Sequence, residues 1–180
     1  MTPAKEVSDG ALALRLARAA VTAYVESGTI ITPSSIIPES LHDRAPAFVT
    51  LRKLDALRGC IGTTEPKWPT LAHEIIMNAI AAASQDPRFP PVEAVELDHL
   101  SYEVDILMPL EPVASEADLS PERYGVMVEA LGRRGLLLPA IEGIRSVEQQ
   151  VAVAKRKAGL PLDATVRLFR FEVERFREEP

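Results

Sequence analysis

Fifteen prolines divide this chain of 180 residues into short lengths that no regular element can cross undisturbed. Each proline fixes its own φ and withholds a backbone N–H, so it ends or edges a helix or strand. Pro33, Pro38 and Pro46 make about 29–46 an irregular surface connection. Pro66 and Pro69 close a pair of strands, and "DPRFPP", from Asp86 to Pro91, stops a helix abruptly. Between these breaks the pattern is legible. Leu12, Leu16, Ala19, Ala20 and Ala23 keep the helical period over 11–27, with Asp9 placed to cap the start and Gly28 to end it. Apolar and β-branched runs at 47–54 and 57–63 read as strands around a tight turn at Asp55-Ala56. Leu71, Ile75, Ala79 and Ala82 give the helix at 70–84 one apolar face. Tyr102, Val104, Ile106 and Met108 share one parity of a strand at 101–108. "YGVMVEALGRRGLLLP" predicts a second hairpin with Gly132-Arg133-Arg134-Gly135 as its loop. Ser146 caps a helix over 148–158 that Gly159 ends, and 165–176 alternates as a last strand. Helices mixed with hairpins predict an α+β fold with a mostly antiparallel sheet and packed helices, in a single domain over 1–180.

Composition narrows the function. Apolar residues make up 47% of the chain, enough for a core that needs neither disulfides nor metal. A net charge of −6 argues against binding duplex nucleic acid through its phosphates. The single cysteine cannot form a disulfide within the chain, which points to a reducing, cytoplasmic setting. The sequence shows no apolar run long enough to span a bilayer. His42, His73 and His99 lack ligand spacing, so no metal site is expected. Nucleotide-loop and nucleophile-elbow motifs are not found, and no cofactor is implied.

The stretch "LDALRGCIGTTEP" concentrates the chemistry. Strand alternation puts Leu57, Gly59 and Ile61 on one face, the core side, and Arg58, Cys60 and Gly62 on the other. A guanidinium beside a thiol favours the thiolate, and glycine at 62 would leave room over the backbone for a ligand. The plain alternative is a cysteine buried as a small hydrophobe and an arginine paired with a carboxylate.

"AFVTLRKLDALRGCIGT", "NAIAAASQDPRFPPV", "EVDILMPLEPV", "GRRGLLLP" and "KAGLP" occur in one order and span most of the chain. In this it resembles the AMMECR-type domain family, with "YGV" and "EGI" similar to its bacterial branch, protein A of the AmmeMemoRadiSam system. The resemblance implies a larger and a smaller subdomain, and a Memo-like protein and a radical-SAM protein as partners; it implies no reaction. Many members carry histidine where this chain has Tyr124, and cysteine where it has Ala154. Neither of those side chains can therefore be required here.

Other candidates follow from position. Asn78 lies on the apolar face of its helix and needs hydrogen-bond partners there, whether the "RGC" backbone or a ligand. Asp86 and Arg88 flank Pro87 and are expected near "RGCIGT", Asp86 turning the chain and Arg88 pairing with it or with an anion. Arg133 and Arg134 read as solvated loop charges, and Lys157 as a cation suited to a helix C-terminus. A ligand patch of Arg58, Gly59, Gly62, Thr63, Asn78, Asp86 and Arg88 around Cys60 as nucleophile or proton donor would mark an enzyme component acting on an anionic or electrophilic small molecule. The rival reading is a non-catalytic interaction module that offers the same patch to another protein.

Overall fold

The computed structural model describes residues 9–33 and 37–178. In chain order its elements are α1 (Asp9–Ser27), β1 (Ala47–Lys53), β2 (Ala56–Gly62), α2 (Leu71–Ser84), β3 (Leu100–Leu107), β4 (Glu111–Val113), β5 (Gly125–Ala130), β6 (Arg133–Leu137), α3 (Val147–Lys157), β7 (Arg167–Phe171) and β8 (Val173–Arg177). The chain gathers into two compact units. One holds residues up to Ile106 together with those from Arg175 onward, and the other is Leu107–Glu174.

The first unit is built on a four-stranded sheet in the order β2-β1-β3-β8, with β1 antiparallel to both β2 and β3. Alternation assigns its faces. Ala47, Val49 and Leu51 of β1 and Leu100, Tyr102, Val104 and Ile106 of β3 all join the buried cluster with α1 and α2. Both helices carry buried small residues, Ala13, Ala17 and Ala20 on α1 and Ala72, Ala79 and Ala83 on α2. Each branched side chain buried there contributes about 1.5–3 kcal/mol. At the end of α1, Gly28 takes φ +68°, and Gly28 N–H and Thr29 N–H reach back to Tyr24 O and Ala23 O at 2.8 and 3.3 Å. Thr70 caps α2 by accepting the His73 N–H.

The second unit carries an antiparallel sheet in the order β4-β7-β5-β6, with α3 packed on it through Val151 and Ala154. Pro112 sits in β4, an edge strand where its missing donor costs no ladder bond. Ser146 caps α3 and Gly159 follows it at φ +65°.

Three boundaries differ from the sequence reading. Among the described residues the first helix runs over Asp9–Ser27, and the Asp9 carboxylate accepts the Ser40 hydroxyl at 2.6 Å. The first hairpin turns at Leu54-Asp55, one residue early, with φ +50° and +65°. The second turns at Leu131-Gly132 with φ +52° and +72°. Two-residue turns with both central residues at positive φ match the twist of the flanking strands, and that demand fixed the turn ahead of residue preference. Arg133 and Arg134 therefore lie in β6. Arg133 donates to Gly159 O at 2.8 Å, and Arg134 pairs with its cross-strand neighbour Glu129 at 2.7 Å. Lys157, read as a dipole partner, donates to Leu136 O. The last alternating run is two strands. It leaves the second sheet after Phe171 and joins the first at Val173.

Candidate functional site

The register of β1 against β2 slips at one point. Leu51 faces Gly59, but Arg52 faces Leu57, so Arg58 is the extra residue of a β-bulge. Before the bulge the alternation reverses. Leu57, expected in the core, is instead a large exposed apolar residue, while Ile61 packs against the core as expected. The bulge also redirects Arg58. Its guanidinium binds Glu96 through Nε at 3.0 Å and Nη2 at 2.8 Å, and donates to Pro90 O and Pro91 O at 3.0 and 3.3 Å. Lys53 Nζ reaches the same carboxylate at 2.9 Å. The two cations, Arg58 foremost, pull Glu96 down to about 2. Arg58 thus ties the 90–96 segment to the outer edge of β2.

The glycines also play packing roles. A Cβ at Gly59 would collide with the Ala82 carbonyl of α2, so this glycine lets the helix cross the strand in close contact. The space expected over Gly62 is filled, because a Cβ there would collide with the ring of Phe48. Thr63 and Asn78 serve the scaffold as well. Asn78 Nδ2 donates to Ala47 O at 2.9 Å, and the Thr63 N–H donates to the same oxygen at 3.0 Å. The Thr63 hydroxyl donates to Glu74, a fully buried carboxylate that also accepts the Lys67 and Trp68 N–H groups at 2.9 Å. Together they fix where β1 begins, where β2 ends and how the chain enters α2. Asn78 clamps the ends of the strands and makes no bond to the "RGC" backbone.

Cys60 faces away from the helices. It pairs with Thr50 across the strands, and the Thr50 hydroxyl donates to Sγ at 3.2 Å. Thr50 in turn faces Glu103, and Asp105 follows on the same parity of β3. Arg175 of β8 binds Asp105 at 2.6 and 3.1 Å and lies 3.6 Å from Glu103. This face of the sheet is polar yet well buried: Asp105 is 1% exposed and Thr50 6%. The Cys60 side chain is only partly covered.

"DPRF" reaches the thiol strand as expected. Asp86 Oδ2 accepts the Cys60 N–H at 2.9 Å, while Arg88 binds both carboxylate oxygens, at 3.0 and 2.7 Å, and adds its own N–H at 3.1 Å. Arg88, and then the two N–H groups, hold Asp86 well below the usual carboxylate range. The guanidiniums of Arg58 and Arg88 lie 6.0 and 5.5 Å from the Phe89 ring. A charge on Cys60 would act on the guanidiniums of Arg88 and Arg175, so both cations lie within electrostatic reach of the sulfur. The sequence reading missed Thr50, Glu103, Asp105 and Arg175. Its signal was the polar parity of strands already predicted: Glu103 and Asp105 alternate with Tyr102, Val104 and Ile106.

Two antiparallel sheets with packed helices make this an α+β protein. The AMMECR1 family model matches residues 14–176, and the chain belongs to the AMMECR1 family. A Thermotoga maritima protein is 55% identical over 157 residues, covering 86% of this chain and 90% of that protein. A Thermococcus gammatolerans protein is 40% identical over 186 residues, covering 94% and 90%. A Clostridium acetobutylicum protein is 38% identical over 92% of this chain, which spans only 36% of its length. The crystal structure of an uncharacterized protein from Pyrococcus horikoshii is similar with a TM-score of 0.88 and 37% identity, covering 95% of this chain and 92% of that one.

Proposed function

We propose that the polar face around Cys60 binds an anionic or electrophilic small molecule, and that the protein serves a multi-protein enzymatic system in the cytoplasm. The observation that carries this reading is a partly covered cysteine whose sulfur accepts the Thr50 hydroxyl at 3.2 Å and lies within electrostatic reach of two guanidiniums. Both features favour the thiolate over the thiol, against the opposing carboxylates of Asp86 and Asp105. The thiolate is then the nucleophile, or the thiol a proton donor. Arg88, its side chain 54% exposed, is placed to meet an incoming anion. Asp86 holds the Cys60 backbone in position, and Arg58 holds the segment that carries Arg88's neighbours. The Memo-like and radical-SAM partners, and membership of the bacterial branch, rest on the sequence resemblance.

The test is the iodoacetamide rate of Cys60 against pH. Arg88→Gln and Thr50→Val are expected to slow alkylation near neutral pH, and Arg58→Gln to change it less. An inert thiol in the folded wild type, or superimposable profiles, overturns the reading. A second reading, a non-catalytic module using the same patch, draws on the exposed Leu57 of β2 and Val95 of the segment beside it. It predicts that Leu57→Ser releases the Memo-like or radical-SAM protein in co-purification while Cys60→Ser does not.

A further inference from the structure

A cavity of about 330 Å³ opens in the second unit, lined by residues of that unit alone. It falls within the usual range of small-molecule sites, about 300–1,000 Å³. Its polar lining is Arg123, Arg170, Glu111 and Glu172, Tyr124 adds aromatic surface, and Met108 and Pro109 are apolar, with Phe171 buried beneath. None of these residues belongs to the thiol face.

The strands explain the arrangement. Arg170 of β7 pairs in register with Glu111 of β4 on one side and Val126 of β5 on the other, and Phe171 pairs with Gly125. The Phe171 ring covers Gly125, where a Cβ would collide with it, so the ring is fixed in place. Tyr124 and Arg123 immediately precede β5. The guanidinium carbons of Arg170 and Arg123 lie 4.5 and 4.9 Å from the centre of the Tyr124 ring. Stacking on an aromatic face holds an arginine in place before any ligand arrives.

The charges are balanced and in contact. Arg123 Nε binds Glu172 Oε1 at 3.0 Å, and Arg170 Nε binds Glu111 Oε2 at 3.0 Å. Arg170 Nη1 also donates to Asp118 O at 3.1 Å. Among the described residues, the Nη atoms of Arg123 and the second oxygens of Glu111 and Glu172 carry no protein hydrogen bond. Donors and acceptors are therefore presented side by side. A simple anion meets a carboxylate as soon as it meets a guanidinium, and a simple cation meets the reverse. A molecule with both charges on one carbon satisfies both sets at once.

We propose that this cavity binds a free α-amino acid with an apolar side chain. Its carboxylate takes the open guanidinium edge of Arg123, its ammonium takes the open oxygens of Glu172 and Glu111, and its side chain lies along Met108 and Pro109. The volume leaves ample room for a small amino acid such as leucine.

The test titrates the full chain with L-leucine by calorimetry and amide NMR. The same is done with 4-methylpentanoate, which lacks the ammonium, and 3-methylbutylamine, which lacks the carboxylate. Leucine is expected to bind saturably, and each half at least about tenfold more weakly, as the loss of one charged hydrogen bond implies. Arg123→Gln, at a side chain 68% exposed, should weaken leucine by a similar factor without moving the unfolding midpoint. Glu172→Gln should narrow the gap between leucine and 4-methylpentanoate. Cys60→Ser should leave leucine binding unchanged, which separates this site from the thiol face. The proposal is overturned by no saturable binding of leucine at millimolar concentration, by halves that bind as well as the whole, or by Arg123→Gln without effect.

Discussion

Replacing Glu96 with glutamine tests whether the bulged Arg58 fastens the edge of the first sheet. The carboxylate is mostly covered, with 12% of its side chain exposed, and it receives Arg58 at 2.8 Å and Lys53 at 2.9 Å. These partners pull it from an ordinary 4.5 to about 2. At 1.36 kcal/mol per pKa unit the shift corresponds to about 3 kcal/mol of native-state preference for the charged form. Solvent around Lys53 screens part of this, leaving about 2 kcal/mol. The sign follows from the depressed acid. Its contribution is complete above about pH 5, fades as pH falls toward 2, and is gone once the folded carboxylate is protonated. Urea unfolding of wild type and Glu96→Gln at pH 7, 5, 4 and 3 should therefore give a stability gap of about 2 kcal/mol at neutral pH that narrows as pH falls. Other carboxylates titrate equally in both proteins and cancel in the difference. A gap that stays constant with pH, or no gap at pH 7, refutes the reasoning.

Gly59→Ala should cost about 1–3 kcal/mol in urea unfolding, because the obstacle is the backbone carbonyl of Ala82 and cannot rotate away. Gly62→Ala meets the Phe48 ring instead, so Phe48→Leu should recover part of its loss while recovering none at Gly59. Leu131 stands at φ +52° with 90% of its surface exposed, and Leu131→Asn should raise stability by about 0.5–1 kcal/mol. An unchanged unfolding midpoint would count against that reading of the turn.

Proline breaks and alternation made most of the fold legible, since each acts within a few residues. What they missed depended on partners far along the chain. Arg58 lies in an alternating run, and only the pairing of β2 with β1 reveals that it is bulged out of register. Gly62 reads as open space until Phe48, its cross-strand partner, covers it. The contact of "DPRF" with the thiol strand was legible because the helix between them returns the chain over the sheet. Arg175 was not, because the last strand divides between two sheets at a point that no local pattern marks.

The buried pair of Arg175 and Asp105 connects stability to the thiol, and its two halves should answer differently. Asp105 is 1% exposed, and Arg175 gives it both of its close contacts, at 2.6 and 3.1 Å. Arg175→Met strands that carboxylate and should cost about 3–5 kcal/mol, the usual penalty for orphaning a buried charge. Asp105→Asn leaves Arg175 beside Glu103, 3.6 Å away, so the cation keeps a counter-charge and the cost should be smaller. The field at Cys60 moves in opposite directions. Arg175→Met removes a positive charge within reach of the sulfur, whereas Asp105→Asn removes the negative charge that offsets it. Near neutral pH the first variant should alkylate more slowly than wild type and the second faster, although both are less stable. A purely structural role for the pair predicts that both variants expose the thiol and speed alkylation together. Measuring the rates in urea-free buffer, well below each variant's unfolding transition, separates the two. Equal acceleration would remove Arg175 from the electrostatics of the thiol face.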